Sequence, residues 1–353
     1  MKTMKKILLV AIDFWPKIGG VAHYYFNLCA HLDRDHIFVL TDGIDAEESG
    51  IKNQELRKVN DFKIIRKRLL WKFVWPKWLV MIWHIWRIAR NEKIELLWVG
   101  EILPTGAAVY LLTRFFRRPY SVFCHGMDIL QAAKSRRKRW LARRILDKAE
   151  GVTVNSHYTA GLLKKFGVPL DKIKIIYPQI NTSYLKKITP ADCQALRESY
   201  DLAGKKILFS ISRLTKRKGF DMVIKSLSRV WEKLPDLVYV IAGEGEDGQR
   251  LEKLASEVDK IGKRIIFLGQ VNEHDKWLWL TTCDGFIMLP RTEPDEVEGF
   301  GIVFLEAMAA VKPIIASKSG GAGEALNGYE YCHFVDPLDV RDITNKILKL
   351  FEK

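Results

Sequence analysis

The chain has 353 residues, which at roughly 150 per domain suggests two domains and ample room for a buried core. Hydrophobic residues make up 48% and charged residues 28%, so disorder and low complexity are excluded. The formal charge of +15 is unevenly held: residues 51–150 carry 23 basic and 8 acidic side chains, residues 201–353 carry 22 and 24. A basic N-terminal half beside a nearly neutral C-terminal half points to two surfaces with two kinds of partner.

Five scattered cysteines (Cys29, Cys124, Cys193, Cys283, Cys332) form no C-x-x-C, which argues against a disulfide framework or a zinc site and fits a reducing cytoplasm. The apolar run Ile7–Ile12 meets Asp13 at once, too short for a signal core. The most hydrophobic uncharged stretch, Trp78 to Trp86, falls well short of the roughly 20 residues a bilayer-spanning helix needs.

In chain order, Ile7–Ile12 reads as a strand covered on both faces, Gly19-Gly20 as a turn, and Val21–Leu32 as a helix. Short apolar runs recur at His36–Leu40, Ile94–Val99, Tyr120–Cys124, Val152–Val154 and Ile173–Ile176, with helical patterns between several of them. A second series runs through Ile207–Ile211, Leu237–Ala242, Ile265–Leu268, Gly285–Leu289, Pro313–Ala316 and Tyr331–Val335. Tyr177–Leu202 lacks a strong period and carries Pro178 and Pro190, so the domain junction is placed there, with domains at 1–180 and 181–353. Alternating strands and helices imply an α/β protein of two doubly wound parallel sheets, expected to face each other across a cleft.

The most informative segment is Glu298-Gly299-Phe300-Gly301-Ile302-Val303-Phe304-Leu305-Glu306. Two glutamates flank a Gly-x-Gly turn that opens a helix, where backbone N–H groups and the helix dipole favour an anion. Eight residues span about 12 Å as helix, the scale of a nucleotide diphosphate sugar. Glu306 is placed to accept from ribose hydroxyls and Glu298 to reach the hexose. Upstream, Arg213 and Lys218 follow the strand Ile207–Ile211 and put one forked and one point-like cation where a pyrophosphate needs neutralising. Gly243 in Ala242-Gly243-Glu244-Gly245 and Val271 in Leu268-Gly269-Gln270-Val271 stand at the next two strand ends, where exposed backbone can read a base edge.

Taken together these residues resemble the donor domain of the retaining GT-B glycosyltransferases, in particular glycosyltransferase family 4, whose Arg…Lys clamp and E-x7-E motif are matched by Arg213, Lys218, Glu298 and Glu306. Gly320-Gly321-Ala322-Gly323-Glu324 is similar to the family's glycine turn after the last major donor-domain strand. The likeness covers nearly the whole chain and is strongest from about 205 to 330. It implies a Rossmann-like N-terminal acceptor domain and a Rossmann-like C-terminal donor domain, the nucleotide sugar being bound by Arg213, Lys218, Gly243, Val271, Glu298, Gly299, Phe300, Gly301 and Glu306 and, from the N-terminal domain, by Gly19 and Gly20 closing over its phosphates. Asp13-Phe14-Trp15-Pro16-Lys17-Ile18-Gly19-Gly20 resembles the family's D-x-x-P-x-x-G-G loop, and His125, after the strand Tyr120–Cys124, matches the family histidine that faces the donor sugar. The catalytic set so implied is His125, Glu298, Arg213 and Lys218, with no cofactor and no metal. The one literal D-x-D, Asp33-Arg34-Asp35, falls in a turn away from every motif.

Between Lys63 and Lys93 stand Trp71, Trp75, Trp78, Trp83 and Trp86 among nine basic residues that include Lys72, and Lys134–Arg144 is a second basic cluster around Trp140. Tryptophan beside cations suits an anionic membrane surface, and no nucleic-acid motif accompanies them. Two departures from the family stand out. Only Glu352-Lys353 follow the helical pattern Leu338–Phe351, so a C-terminal crossing helix is expected to be short or missing, and the acidic Arg291–Val297 is expected to be flexible. The expectation is a cytoplasmic, peripherally membrane-bound enzyme of lipopolysaccharide or cell-envelope glycan synthesis, moving a hexose from GDP-mannose or a UDP-sugar to a glycan or lipid acceptor. A sugar-nucleotide epimerase and a non-catalytic nucleotide-binding or anionic-surface protein are the alternatives.

Overall fold

The run Ile-Leu-Leu-Val-Ala has no polar side chain to offer solvent, and in the computed structural model it lies as β1 (Ile7–Ala11) inside a seven-stranded sheet. That is where a parallel strand covered on both faces belongs. The structure describes residues 5–17, 19–43, 62–71, 73–294 and 296–352; Ile18, Lys72, Asp295 and Lys353, named above, lie outside them. The chain divides into two units, Met1–Gln179 and Ile180–Lys353.

The first unit continues with α1 (Gly20–Ala30), β2 (Ile37–Asp42), β3 (Lys63–Lys67), α2 (Leu79–Asn91), β4 (Leu96–Val99), α3 (Thr105–Leu112) and β5 (Tyr120–Cys124). Then come α4 (Met127–Ala133), α5 (Arg136–Lys148), β6 (Gly151–Val154), α6 (His157–Phe166) and β7 (Ile173–Ile175). All neighbours pair in parallel in the order β3-β2-β1-β4-β5-β6-β7, so the winding reverses between β1 and β4. Strand β3 was not anticipated. Its sequence, Lys-Ile-Ile-Arg-Lys, is short and charged, as suits an edge that must not pair with other chains.

The second unit holds α7 (Pro190–Ser199), β8 (Lys206–Ile211), α8 (Phe220–Trp231), β9 (Leu237–Ala242), α9 (Gly248–Val258), β10 (Ile265–Gly269) and α10 (Glu273–Thr282). It ends with β11 (Gly285–Met288), α11 (Ile302–Ala309), β12 (Ile314–Ala316), α12 (Ala322–Ala325), β13 (Cys332–Phe334) and α13 (Val340–Phe351). The sheet order is β10-β9-β8-β11-β12-β13, the same doubly wound pattern with its reversal between β8 and β11. Along β9, Leu237, Tyr239 and Ile241 enter one core layer and Val238, Val240 and Ala242 the other. A strand apolar at every position is thus explained by helices on both faces.

One expectation changes. The supposedly periodless 177–202 contains α7, because Pro190 stands at the first helical position, where no N–H is needed, and Thr189 and Asp192 close a capping box. Helix α13 belongs to the second unit's own core, burying Ile343, Ile347, Leu348 and Phe351 in the layer that holds Leu227 and Val230 of α8.

Candidate functional site

In an open α/β sheet the carboxyl ends of the strands on either side of the reversal splay apart and leave room for a ligand. In the second unit those strands are β8 and β11. The chain leaving β8 turns through a single 3₁₀ turn, Lys216–Lys218, and its backbone is laced to the chain leaving β11: Leu289 N donates to Lys218 O (3.3 Å) and Arg291 N to Arg217 O (2.7 Å). This lacing brings Lys218 Nζ to 2.5 Å and Arg217 Nη1 to 2.8 Å from one oxygen, Oε2 of Glu298. Lys218 and Glu298 are 7% and 8% exposed, so the pair is held out of water. Burial alone would raise the Glu298 carboxyl, but Lys218 and Arg217 hold it down at about 2. Burial lowers the Lys218 ammonium, partly against the pull of Glu298. Oε1 of Glu298 has no hydrogen-bond partner among the described residues.

Glycines fix the backbone around this carboxylate. Gly320 has φ 61° and lies so close to the Glu298 carbonyl that a Cβ would overlap it, while Gly321 N donates to that same carbonyl at 2.8 Å. Within the acidic stretch 291–297, expected to be flexible, the described charged side chains have ionic partners, while Asp295 lies outside the described residues. Arg291 is bonded to Asp221 (3.2 Å) and Glu293 (3.0 Å), Val297 is buried, and Glu296 lies 3.7 Å from Arg217. Glu296 so placed meets Nε of the Arg217 guanidinium while Glu298 meets its Nη1, and helps hold it there.

Eight residues on, Glu306 lies buried in α11, and its Oε1 is 2.5 Å from Lys276 Nζ on α10. Lys276 also meets Glu273 at 2.8 Å. Burial would lower its ammonium, but the two carboxylates win and raise it. Gly301 opens α11 in the left-handed region at φ 88°, and Phe300 packs into the core beside it. Val271 is half-buried just before Asn272, which caps α10. Gly243 takes φ 120°, which favours glycine, and a Cβ there would also overlap Ser212 O.

Arg213 stands apart. Its side chain is 76% exposed, and among the described residues its ion pair is with Glu246, at 3.5 Å. Such a pair is worth well under about 1 kcal/mol. Arg213→Ala is therefore expected to leave the melting temperature unchanged while raising the donor KM, measured by thermal unfolding and initial rates. A drop in stability with unchanged KM would contradict this placement.

In the first unit the reversal lies between β1 and β4. The chain leaving β4 gives Gly100 and Glu101, and the chain leaving β5 gives His125. Tyr25 of α1 reaches both: its hydroxyl donates to Gly100 O and lies 2.7 Å from His125 Nε2. Asp128 Oδ1 accepts from the backbone N–H of His125 and of Gly126, each at 3.0 Å. Desolvation lowers His125 to about 4, so its ring is neutral at pH 7. Burial raises Glu101 to about 8, helped by Asp13 and Asp128. Burial also raises Asp128, to about 6, against backbone N–H donors. Glu101 Oε1 and Asp128 Oδ2 are buried without a partner among the described residues. Gly19 precedes α1, and a Cβ on it would meet nothing within 4 Å, so the unit's own packing does not demand glycine there. Gly20 is the first residue of α1. Asp33 of the D-x-D is used locally, taking His36 Nδ1 at 2.9 Å and Asp35 N at 3.3 Å.

Sequence reasoning missed Arg217, Lys276, Tyr25 and Glu101. Arg217 sits in the run Lys216-Arg217-Lys218, where nothing in the order of residues says which cations turn inward. Lys276 and Tyr25 lie inside helices whose periodicity assigns a face but not a partner.

Two family descriptions match the chain, Glycosyltransferase Family 4 over residues 18–184 and Glycosyl transferases group 1 over residues 193–353. A Corynebacterium glutamicum protein, the GDP-mannose-dependent monoacylated alpha-(1-6)-phosphatidylinositol monomannoside mannosyltransferase, is 28% identical over 92% of this chain and 84% of its own. The Mycolicibacterium smegmatis GDP-mannose-dependent alpha-(1-6)-phosphatidylinositol monomannoside mannosyltransferase is 27% identical over 97% of this chain and 88% of its own. Among solved structures, Anabaena Alr3699/HepE in complex with UDP and glucose superposes with a TM-score of 0.81 at 22% identity, covering 99% of this chain and 90% of that one. With two doubly wound parallel sheets, an ion-paired E-x7-E segment at the second sheet's reversal, and matches along both halves, the chain belongs to the GT-B glycosyltransferases of family 4.

Proposed function

We propose that this glycosyltransferase moves a hexose, with retention and without a metal, from a nucleotide diphosphate sugar to a hydroxyl of a membrane-associated glycan or lipid. The observation that carries the reading is Glu298, held ionised by Lys218 and Arg217 at the reversal of the second sheet with Oε1 left for a ligand hydroxyl. The second unit binds the donor and the first the acceptor. Breaking the sugar–phosphate bond builds negative charge on the departing diphosphate, and Lys218, Arg213 and the N-terminus of α11 offset it by electrostatics already in place. Glu298 Oε1 orients the hexose, Glu306 binds the ribose, and the open backbone of Gly19 and Gly20 approaches the phosphates. His125 meets the sugar. The acceptor oxygen attacks the face the diphosphate leaves, and a diphosphate oxygen takes its proton.

GDP-mannose is the first donor to try, since the relatives named above use it, and a UDP-sugar the second. Purified protein with radiolabelled GDP-mannose or UDP-glucose, a membrane lipid extract and excess chelator should yield a labelled lipid or glycan with the anomeric configuration of the donor. Inverted product, or no transfer from any nucleotide sugar, would refute the reading.

The membrane surface rests on the first unit. Phe73 and Trp75 are 96% and 90% exposed, and Trp71, Trp83, Trp86 and Trp140 also face solvent. Arg68, Arg87, Arg90 and Arg144 lie over the rings of Trp71, Trp83, Trp86 and Trp140 at 5.2–5.7 Å. Aromatic rings bearing guanidinium groups match a headgroup layer, apolar on one side and anionic on the other. Among the described residues no helix is long and apolar enough to cross a membrane. Residues 63–93 and 134–144 are therefore the contact to an anionic inner-face surface. Co-sedimentation with phosphatidylglycerol vesicles should be strong at low salt and weaken about tenfold or more towards 0.5 M. Equal binding to neutral vesicles would count against it.

A further inference from the structure

Tyr25 has one hydroxyl proton and two close neighbours. Its oxygen touches Gly100 O and lies 2.7 Å from His125 Nε2. A carbonyl has no proton to give, so the tyrosine proton must go to Gly100 O. The contact to Nε2 is then favourable only if the imidazole supplies the hydrogen, which places the ring's proton on Nε2. The ring carries no second proton at neutral pH, since desolvation lowers it to about 4. Nδ1 is left a bare lone pair with no partner among the described residues.

The ring cannot easily turn to exchange the two nitrogens. Tyr24 and Tyr25 hold it edge-on, with ring centroids at 5.0 and 5.2 Å, and Tyr24 is itself anchored by a hydroxyl bond to Ile176 O (3.1 Å). The backbone at His125 is pinned through Asp128. The other ionisable groups in this cluster are Glu101, Asp128 and Cys124, and burial favours the protonated form of each.

We propose that Tyr25 is a positioning residue that fixes His125 as the Nε2–H tautomer, so that Nδ1 accepts a hydrogen bond from a hydroxyl of the transferred hexose. This rests on the reading of His125 as meeting the donor sugar. A neutral imidazole so held discriminates: it accepts from an O–H and repels a phosphate oxygen. That suits a sugar subsite and would be wrong beside the diphosphate.

The test is nitrogen-15 spectroscopy of the full chain labelled at histidine, with His125 assigned by the signals lost in His125→Gln. At pH 7 the wild type should show Nε2 protonated and Nδ1 bare. Tyr25→Phe should give a mixture of tautomers or the opposite one, with kcat/KM for the nucleotide sugar about tenfold lower, the scale of one lost neutral hydrogen bond. A protonated Nδ1 in the wild type, or an unchanged spectrum in Tyr25→Phe, overturns the proposal, whatever the rates. His125→Ala tests the underlying reading separately. If that variant transfers sugar at the wild-type rate, the hexose contact is refuted even where the tautomer is as stated.

Discussion

Lys218→Met is expected to abolish transfer and to lower the stability of the second unit by about 3 kcal/mol, because removing one partner of a buried ion pair strands the other. The ammonium lies 2.5 Å from Glu298 in a site almost closed to water. Arg217 remains at 2.8 Å, which keeps the loss near the lower end of the range for such pairs. A loss of that size should lower the melting temperature by roughly 10 °C for a unit this large. Acid unfolding should also move. A carboxylate held at about 2, below its ordinary range, contributes stability that is present above pH 4.5 and is lost as pH falls towards 2. Without Lys218 the folded value rises, the contribution shrinks, and the acid midpoint shifts to higher pH. The double variant Lys218→Met, Glu298→Met removes both charges of the pair and leaves Arg217 to Glu296 at 3.7 Å, so it should recover part of the stability with none of the activity. If Lys218→Met unfolds like the wild type, Glu298 does not depend on it and the clamp is wrong.

The second large effect is expected at Lys276→Met. Here one buried ammonium serves two carboxylates, Glu306 at 2.5 Å and Glu273 at 2.8 Å. Glu306 is 7% exposed and would be left with a charge and no cation. Stability should again fall by about 3 kcal/mol. The diagnostic is in binding. If Lys276 holds Glu306 in place for the ribose, the nucleoside diphosphate should lose more than tenfold in affinity, whereas inorganic pyrophosphate, which has no ribose, should bind as before. Calorimetric titration of both ligands decides this, and an equal loss for the two would place Lys276 among the phosphate contacts instead.

These two pairs show why the site was only partly legible beforehand. Glu298 and Glu306 were singled out from spacing around a Gly-x-Gly turn, and that spacing is local: eight residues of one segment that open a helix. Their partners are 80 and 30 residues away along the chain. Lys218 was anticipated because it follows a strand end, where α/β sheets bind ligands. Arg213, chosen on the same reasoning, turns to solvent, and the inward position beside Lys218 goes to Arg217. A run rich in cations states that charge is available and leaves open which of them the turn directs inward. Glu293 and Glu296 likewise read as solvated charge until Arg291 and Arg217 are seen beside them.

What the residue order determined by itself is the architecture: strands without polar positions must be covered on both faces, and strands alternating with helices must run parallel. Every strand but the charged edge strand β3 was visible as a short apolar run; the interior strands are covered on both faces, while the edge strands β7, β10 and β13 are only half-buried. Only the tertiary structure decided which ionisable groups share an oxygen, which glycines are demanded by neighbouring backbone and which are left open, and that Tyr25 meets His125. Hydrophobic period is a property of one element, while a hydrogen bond or ion pair across loops depends on angstrom-scale placement of two elements that the local pattern does not encode.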